Sequence, residues 1–213
     1  LQVNTLHPPR PARDGNDLVL SSSDSVSTGH VILRMLQPPA DERQMEILSG
    51  PNASSVFGHR VTPPRPESPQ ASGHRVMFTP KGARKTGRFL TVMTMSDSDQ
   101  TTLSADVAET SEVYVLSLAD RVVVISKSGA LLSGSFTVNT GTGNECRLVL
   151  TGLQPGTWTV RGADGTVHEA QVQEKKNTAF FRLPRGKYTV EQKSLSSVAG
   201  YRYSPISMKR GED

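Results

Sequence analysis

Apolar and β-branched residues recur along the chain in short runs, and turn-forming residues bound almost every run. Clear examples are residues 31–36, 89–95, 121–125 and 147–150. Short runs of this kind between Gly, Pro, Ser and Asp are typical of β-strands, because helices need longer stretches with a wider repeat. The pattern therefore predicts an all-β fold, an antiparallel β-sandwich of about a dozen short strands in two halves, with little or no helix.

Residues 40–46 have the composition of a short helix, but proline surrounds them. Pro38-Pro39 precedes the segment and Gly50-Pro51 follows it. Proline lacks a backbone donor and keeps the residue before it extended, which leaves little room for a helix. We therefore predict a strand here.

The connections between strands differ between the two ends of the chain, and this difference predicts that the chain is divided into two β-sheet halves. The first half, 1–97, contains a long proline-rich loop at 63–73, whose prolines cannot donate to a sheet interior. The second half, 98–192, is joined by tight turns. Residues 193–213 are predicted to be a tail or linker. Because the chain begins at Leu1 rather than Met, we expect it to have been cut from a longer protein.

Two short repeats lie inside the chain. Leu153-Gln-Pro-Gly-Thr-Trp-Thr-Val160 recurs as Leu183-Pro-Arg-Gly-Lys-Tyr-Thr-Val190, and each copy predicts a turn glycine followed by a strand that begins with an aromatic residue. Gly58-His-Arg-Val61 recurs as Gly73-His-Arg-Val76 on the other side of the proline-rich loop. The second repeat is either chance or a pair of strand starts at the base of one loop.

Positive charge is concentrated between residues 58 and 88, which we call the basic stretch. Seven Lys and Arg against Glu67 give this stretch a net charge of +6, whereas the whole chain carries +4. Such a local field indicates an anionic partner, unless the charges only decorate solvated loops. If the stretch binds an acidic polysaccharide, the candidate contacts are Arg60, Arg75, Lys81, Arg84, Lys85 and Arg88.

Most catalytic and metal chemistry finds no support in the sequence. The single cysteine, Cys146, excludes an intramolecular disulfide framework and a thiolate-rich metal site. A zinc site from His59 and His74 lacks a third ligand, so no metal is predicted. Neither a nucleophile elbow nor a phosphate loop nor a dinucleotide fingerprint is present, and we expect no cofactor.

Nucleic acid and membrane are not expected as partners. Stacking platforms for bases need aromatic residues among the cations, but aromatics make up only 5% of the chain. Phe78 and Phe89 fall in predicted strands, where core packing is the better interpretation. No run approaches the length of apolar sequence that a membrane-spanning helix requires.

The order of segments resembles the region C-terminal to the catalytic part of heparinase II/III-like polysaccharide lyases. The resemblance covers roughly residues 5 to 192. In the first half it is carried by Leu6-His-Pro-Pro9, Gly29-His-Val-Ile-Leu-Arg-Met-Leu-Gln-Pro-Pro-Ala40, Gly50-Pro51, Phe57-Gly-His-Arg60, Gly73-His-Arg-Val-Met-Phe-Thr-Pro80 and Gly87-Arg-Phe-Leu-Thr-Val-Met-Thr94. In the second half it is carried by the two copies of the aromatic repeat.

The resemblance implies a secreted or periplasmic parent protein with an N-terminal α/α toroid that cleaves uronate polysaccharides by β-elimination. In this family the general base and the groups that neutralise the uronate carboxylate are chiefly Tyr, His, Asn and Arg on the toroid and the early β region. No position here matches that pattern, so no catalytic residue is carried over, and we expect the isolated chain to lack lyase activity.

Two functions follow from these observations. The first is a non-catalytic β-sandwich that supports the cleft of a lyase and weakly binds acidic, uronate-containing polysaccharide, with the N-terminal toroid of the same polypeptide as its neighbour. The alternative is a proteolytically processed structural subunit that assembles with copies of itself or with another chain. Salt-sensitive glycan binding would favour the first, and a concentration-dependent mass would favour the second.

Overall fold

The computed structural model describes residues 1–12, 17–23, 28–56, 59–61, 73–83, 85–97 and 104–193. The chain divides into two compact units, Leu1–Val107 and Ala108–Asp213. The boundary falls within a strand, ten residues after the division that the sequence predicts between residues 97 and 98.

The first unit is built from short strands with two one-turn 3-10 helices between them. The 3-10 helices are Ala40–Glu42 and Gly50–Ser54. The strands are β1 (Gln2–Thr5), β2 (Arg10–Pro11), β3 (Asp17–Ser23), β4 (Thr28–Gln37), β5 (Arg43–Ser49), β6 (Ser55–Val56), β7 (His59–Arg60), β8 (His74–Pro80), β9 (Leu90–Ser96) and β10 (Ala105–Glu109), which contains the unit boundary.

Two antiparallel sheets enclose the core of the first unit. One has the order β1-β8-β5 and the other β2-β3-β4-β9, while β6 and β7 form a separate pair. Successive side chains of a strand point to opposite faces, so alternate residues reach the core. Leu33 and Met35 of β4 meet Val76 and Phe78 of β8 in this way, with Leu18 beside them.

The second unit is a larger sandwich. Its further strands are β11 (Val113–Leu118), β12 (Arg121–Ser126), β13 (Ser135–Asn139), β14 (Glu145–Thr151), β15 (Gly156–Gly162), β16 (Val167–Val172), β17 (Thr178–Pro184) and β18 (Lys187–Gln192). They form a five-stranded sheet, β10-β11-β12-β14-β17, and a four-stranded sheet, β13-β18-β15-β16. Apolar side chains from both sheets pack into one cluster around the fully buried Trp158.

The all-β prediction is confirmed, with two refinements. Residues 40–46 are not one strand: Ala40–Glu42 forms a 3-10 turn, and β5 begins only at Arg43. The sheets are not wholly antiparallel either, because β12 and β14 run parallel. The intervening β13 belongs to the opposite sheet, so the chain returns to the first sheet in its original direction. Of the predicted tail, the described residues include only Lys193, and of the proline-rich loop only Gly73.

Candidate anion-binding site

The strand β8 separates the predicted binding residues into two places. Arg75 lies near its beginning, and Lys81 follows its last residue. A strand rises about 3.3 Å per residue, so about 20 Å of chain separates the two. Lys85 and Arg88 lie in the connection between β8 and β9. The side chain of Arg60, in β7, and the whole of Arg84 fall outside the described residues.

The β8–β9 loop, residues 81–89, presents cations to solvent. Lys81, Lys85 and Arg88 are all exposed. Among the described residues, no ion pair or side-chain hydrogen bond engages any of the three. The backbone N–H of Lys81 donates to the carbonyl of Glu42 at 2.7 Å, which fixes the start of the loop to the 3-10 helix before β5. The loop therefore offers positive charge that no described carboxylate neutralises.

Arg75 is in a very different environment. Val76 and Phe78 point into the core, so Arg75 points to the opposite face of the sheet, where Asn4 of β1 and Leu48 of β5 are its cross-strand partners. Its residue is 9% exposed. Its Nε is buried without a hydrogen-bond partner. It is thus a buried guanidinium rather than a surface charge.

A cavity of about 490 Å³ opens beside Arg75. Val61 of the first Gly-His-Arg-Val copy and Gly73, His74 and Arg75 of the second copy all line it, so the short repeat brackets one cavity. Its remaining polar lining comes from Gln2, Asn4, Thr5 and Ser54, and its remaining apolar lining from Leu6 and Ala53. No aspartate or glutamate is among these described lining residues.

The hydrogen bonds around the cavity leave donors available to a ligand. Gln2 Nε2 donates to Asn4 Oδ1 at 3.0 Å, so the amide nitrogen of Asn4 is not used in that bond. The hydroxyl of Ser49 lies 2.8 Å from Nδ1 of His74, and with this hydroxyl as donor the Nε2–H of His74 is left for another partner. The chemistry of the lining therefore suits an anion.

A second cavity, of about 600 Å³, contains two Ser–His pairs that sequence reasoning missed. Ser21 Oγ lies 2.9 Å from His30 Nδ1 and accepts a bond from Arg10 Nη2 at 3.0 Å. Ser22 Oγ lies 3.2 Å from His7 Nε2. The signal for the first pair is the β3–β4 register, which sets Ser21 opposite His30. In the described part of the chain, no third group is hydrogen-bonded to His30 to orient it as a base, so no hydrolytic step follows.

No group of three or more His, Cys, Asp or Glu side chains among the described residues is placed to hold a metal ion. No helix in the same residues is long and apolar enough to cross a membrane.

Comparison with known proteins finds a similarity that is confined to the second half of the chain. Residues 107–192 match the family model of the heparinase II C-terminal domain. No curated protein matches the chain. The match ends at the last residue of β18, so it takes in the whole second sandwich from β11 onward. The resemblance predicted from the sequence is confirmed over these residues, which are similar to the C-terminal region of the heparinase II/III-like family.

Proposed function

We propose that this chain is the non-catalytic β-sandwich portion of a heparinase II/III-like polysaccharide lyase, where it supports the substrate cleft and weakly binds acidic, uronate-containing polysaccharide. The observation that carries the binding is the β8–β9 loop, whose Lys81, Lys85 and Arg88 are exposed and form no ion pair with any residue that the structure describes. The heparinase II C-terminal domain at 107–192 supports the assignment to a lyase. The parent protein is then a secreted or periplasmic enzyme whose N-terminal toroid carries out β-elimination.

The loop binds a polyanion by summing weak contacts. Arginine grips a carboxylate or sulfate through two parallel hydrogen bonds, and lysine adds a less directional charge. Each exposed contact contributes about 1 kcal/mol or less, so affinity depends on several acting together. The screening length is about 8 Å at physiological salt and becomes shorter as salt rises, so we expect binding to weaken above physiological ionic strength.

Retention on heparin and alginate columns tests this function. We expect Lys81→Ala/Lys85→Ala/Arg88→Ala to elute at lower salt than the wild type, because three unpaired cations are removed. The matched control is Arg161→Ala/Lys176→Ala/Lys187→Ala, which removes the same charge from three exposed positions in the second unit. Equal elution of the loop variant and the control variant would show that net charge alone, and not the loop, binds the column.

The alternative, a processed structural subunit, is favoured by one observation. The strand β9 stands at the end of its sheet, and its Met93 and Met95 are 60% and 85% exposed. An edge strand with apolar side chains is a template for pairing with another chain. Light scattering separates the two functions: a mass that rises with concentration favours the subunit, and a constant monomer mass favours the glycan-binding portion.

A further inference from the structure

We infer that the cavity beside Arg75 is a selective site for one singly charged oxyanion, a carboxylate or a sulfate ester, carried on a sugar ring. It differs from the β8–β9 loop in kind, because it would hold one group in a defined geometry rather than attract a polymer by net charge. The anion site rests on Arg75 and its surroundings alone, and only the choice of a sugar as carrier rests on the proposed function.

The first step is the state of Arg75. The guanidinium keeps its charge in proteins, and an ion removed from water without a partner is strongly disfavoured. Arg75 is 9% exposed, its Nε has no hydrogen-bond partner, and no carboxylate among the described residues pairs with it. Such a group is tolerated where it serves a ligand.

Two other arginines of the first unit have guanidinium groups that are hydrogen-bonded within the chain. Arg34 forms a bidentate pair with Asp17, at 2.6 and 2.7 Å. Arg43, buried at 4% exposure, donates to the carbonyls of Met35 and Pro38. Both have partners supplied by the chain itself. Arg75 differs from them, because among the described residues it is the buried arginine that lines a cavity.

The lining selects for an anion and accommodates a sugar. Asn4 is the cross-strand partner of Arg75, so its amide can donate to the same oxyanion, and His74 supplies a further ring nitrogen. Gln2 and Ser54 offer the mixed donors and acceptors that hydroxyl groups require. Leu6 and Val61, each 49% exposed, give an apolar surface for the C–H face of a ring. A cavity of about 490 Å³ lies in the range of small-molecule sites.

The experiment is calorimetric titration of the whole chain with D-glucuronate, glucose 6-sulfate and glucose. We expect one of the two anions, or both, to bind with one site per chain, and glucose to bind at least about tenfold more weakly, because it lacks the charge that Arg75 holds. Binding of glucuronate alone identifies a carboxylate site, and binding of glucose 6-sulfate alone identifies a sulfate site. Failure of both anions to bind, or equal binding of glucose, overturns the inference.

Two variants assign the binding to the cavity. Arg75→Met removes the charge and should lower anion affinity about tenfold or more, without lowering the melting temperature of the free protein. Asn4→Asp places a carboxylate opposite Arg75, where cross-strand partners are close enough to pair. It should raise the melting temperature and abolish anion binding, because the guanidinium is then already neutralised. Gln44→Glu, an exposed amide-to-acid change on β5, is the matched control and should bind as the wild type does.

These outcomes also keep the two proposals apart. Lys81→Ala/Lys85→Ala/Arg88→Ala should lose retention on the column but bind the monosaccharide normally, and Asn4→Asp should do the reverse. Wild-type affinity in Asn4→Asp, with the variant folded, overturns the cavity site and leaves the loop untouched. Loss of monosaccharide binding in the loop variant likewise overturns it, because the bound anion would then lie at the loop.

Discussion

The two units differ most in what they bury. In the second unit the buried side chains form one continuous apolar cluster around Trp158, and the only buried polar residues among those described are Thr140 and Thr159. The first unit has a smaller cluster, and it buries His30, Arg43 and Arg75. The cavities described above are lined by residues of the first unit. An apolar core stabilises a fold, whereas buried charge opposes folding unless it is paired. The second unit therefore has the larger apolar core, whereas the first has the buried charges and the cavities on which the proposed binding depends.

Trp158→Ala tests how much the apolar core stabilises the second unit, and it should have the largest effect. Trp158 is fully buried, its ring packs at 6.2 Å from that of Phe136, and its Nε1 donates to the carbonyl of Gln154 at 2.8 Å. We expect its removal to lower the free energy of unfolding by about 3–5 kcal/mol. Urea denaturation followed by circular dichroism measures the loss, since the variant contains no tryptophan to report by fluorescence.

Phe180→Ala is the control for this change. Phe180 is 71% exposed on the outer face of β17, so its loss should alter the free energy by less than about 0.5 kcal/mol. Comparable losses in the two variants would contradict the assignment of Trp158 to the centre of the core.

Asp17→Asn tests the first unit, where charges are partly buried and paired. Asp17 and Arg34 face each other across β3 and β4, with side-chain exposures of 12% and 19%. Replacing the carboxylate removes the bidentate ion pair with Arg34 from a partly buried site, which we expect to cost about 2 kcal/mol in urea denaturation. Glu145→Gln is the counterpart in the second unit, where the pair with Arg182 is exposed, and it should cost less than about 1 kcal/mol. A larger loss in Glu145→Gln would reverse the comparison.

The alternation of apolar residues made the strands predictable, and the two copies of the aromatic repeat share one local structure. Its two copies lie in β15 and β18, which are adjacent antiparallel neighbours with Val160 opposite Val190. In each copy the aromatic side chain donates to the carbonyl four residues earlier: Trp158 to Gln154, and Tyr188 to Pro184. The repeat is thus one local design, a turn closed by the ring that follows it. That the copies would be neighbours did not follow from the sequence, because strand order depends on contacts distant in the chain.

The candidate site was only half predictable for a similar reason. Lys81, Lys85 and Arg88 follow from local composition, because a Gly- and Pro-bounded loop is exposed wherever it lies. The burial of Arg75 does not, since the alternation of β8 indicates only that Arg75 and Val76 face opposite ways. What covers the outer face is a matter of tertiary packing. The parallel pairing of β12 with β14 escaped prediction in the same way, because each strand has the same pattern in either direction.

The smallest expected effect is a dependence of stability on pH, and it comes from Tyr188 in the apolar cluster of the second unit. Burial raises the pKa of Tyr188 above its ordinary value of 10.0, with the nearby Cys146 and Asp164 adding to the shift. In the folded protein the phenol therefore holds its proton to higher pH than in the unfolded chain. Below pH 10 both states are protonated and stability is unaffected. Above pH 10 the unfolded state loses the proton first, so stability falls as pH rises.

Tyr188→Phe should separate the two contributions of this side chain. At pH 8 the variant loses the hydrogen bond from the phenol to Pro184, 2.5 Å long in the wild type, and we expect a loss of about 1 kcal/mol. Between pH 10 and 11 the wild type should lose stability more steeply than the variant, because phenylalanine does not titrate. Urea midpoints of both proteins at pH 8, 10 and 11 measure the difference. Parallel pH dependence in the two proteins would mean that Tyr188 ionises as freely in the fold as in water, and that the apolar cluster does not exclude solvent from the phenol at its edge.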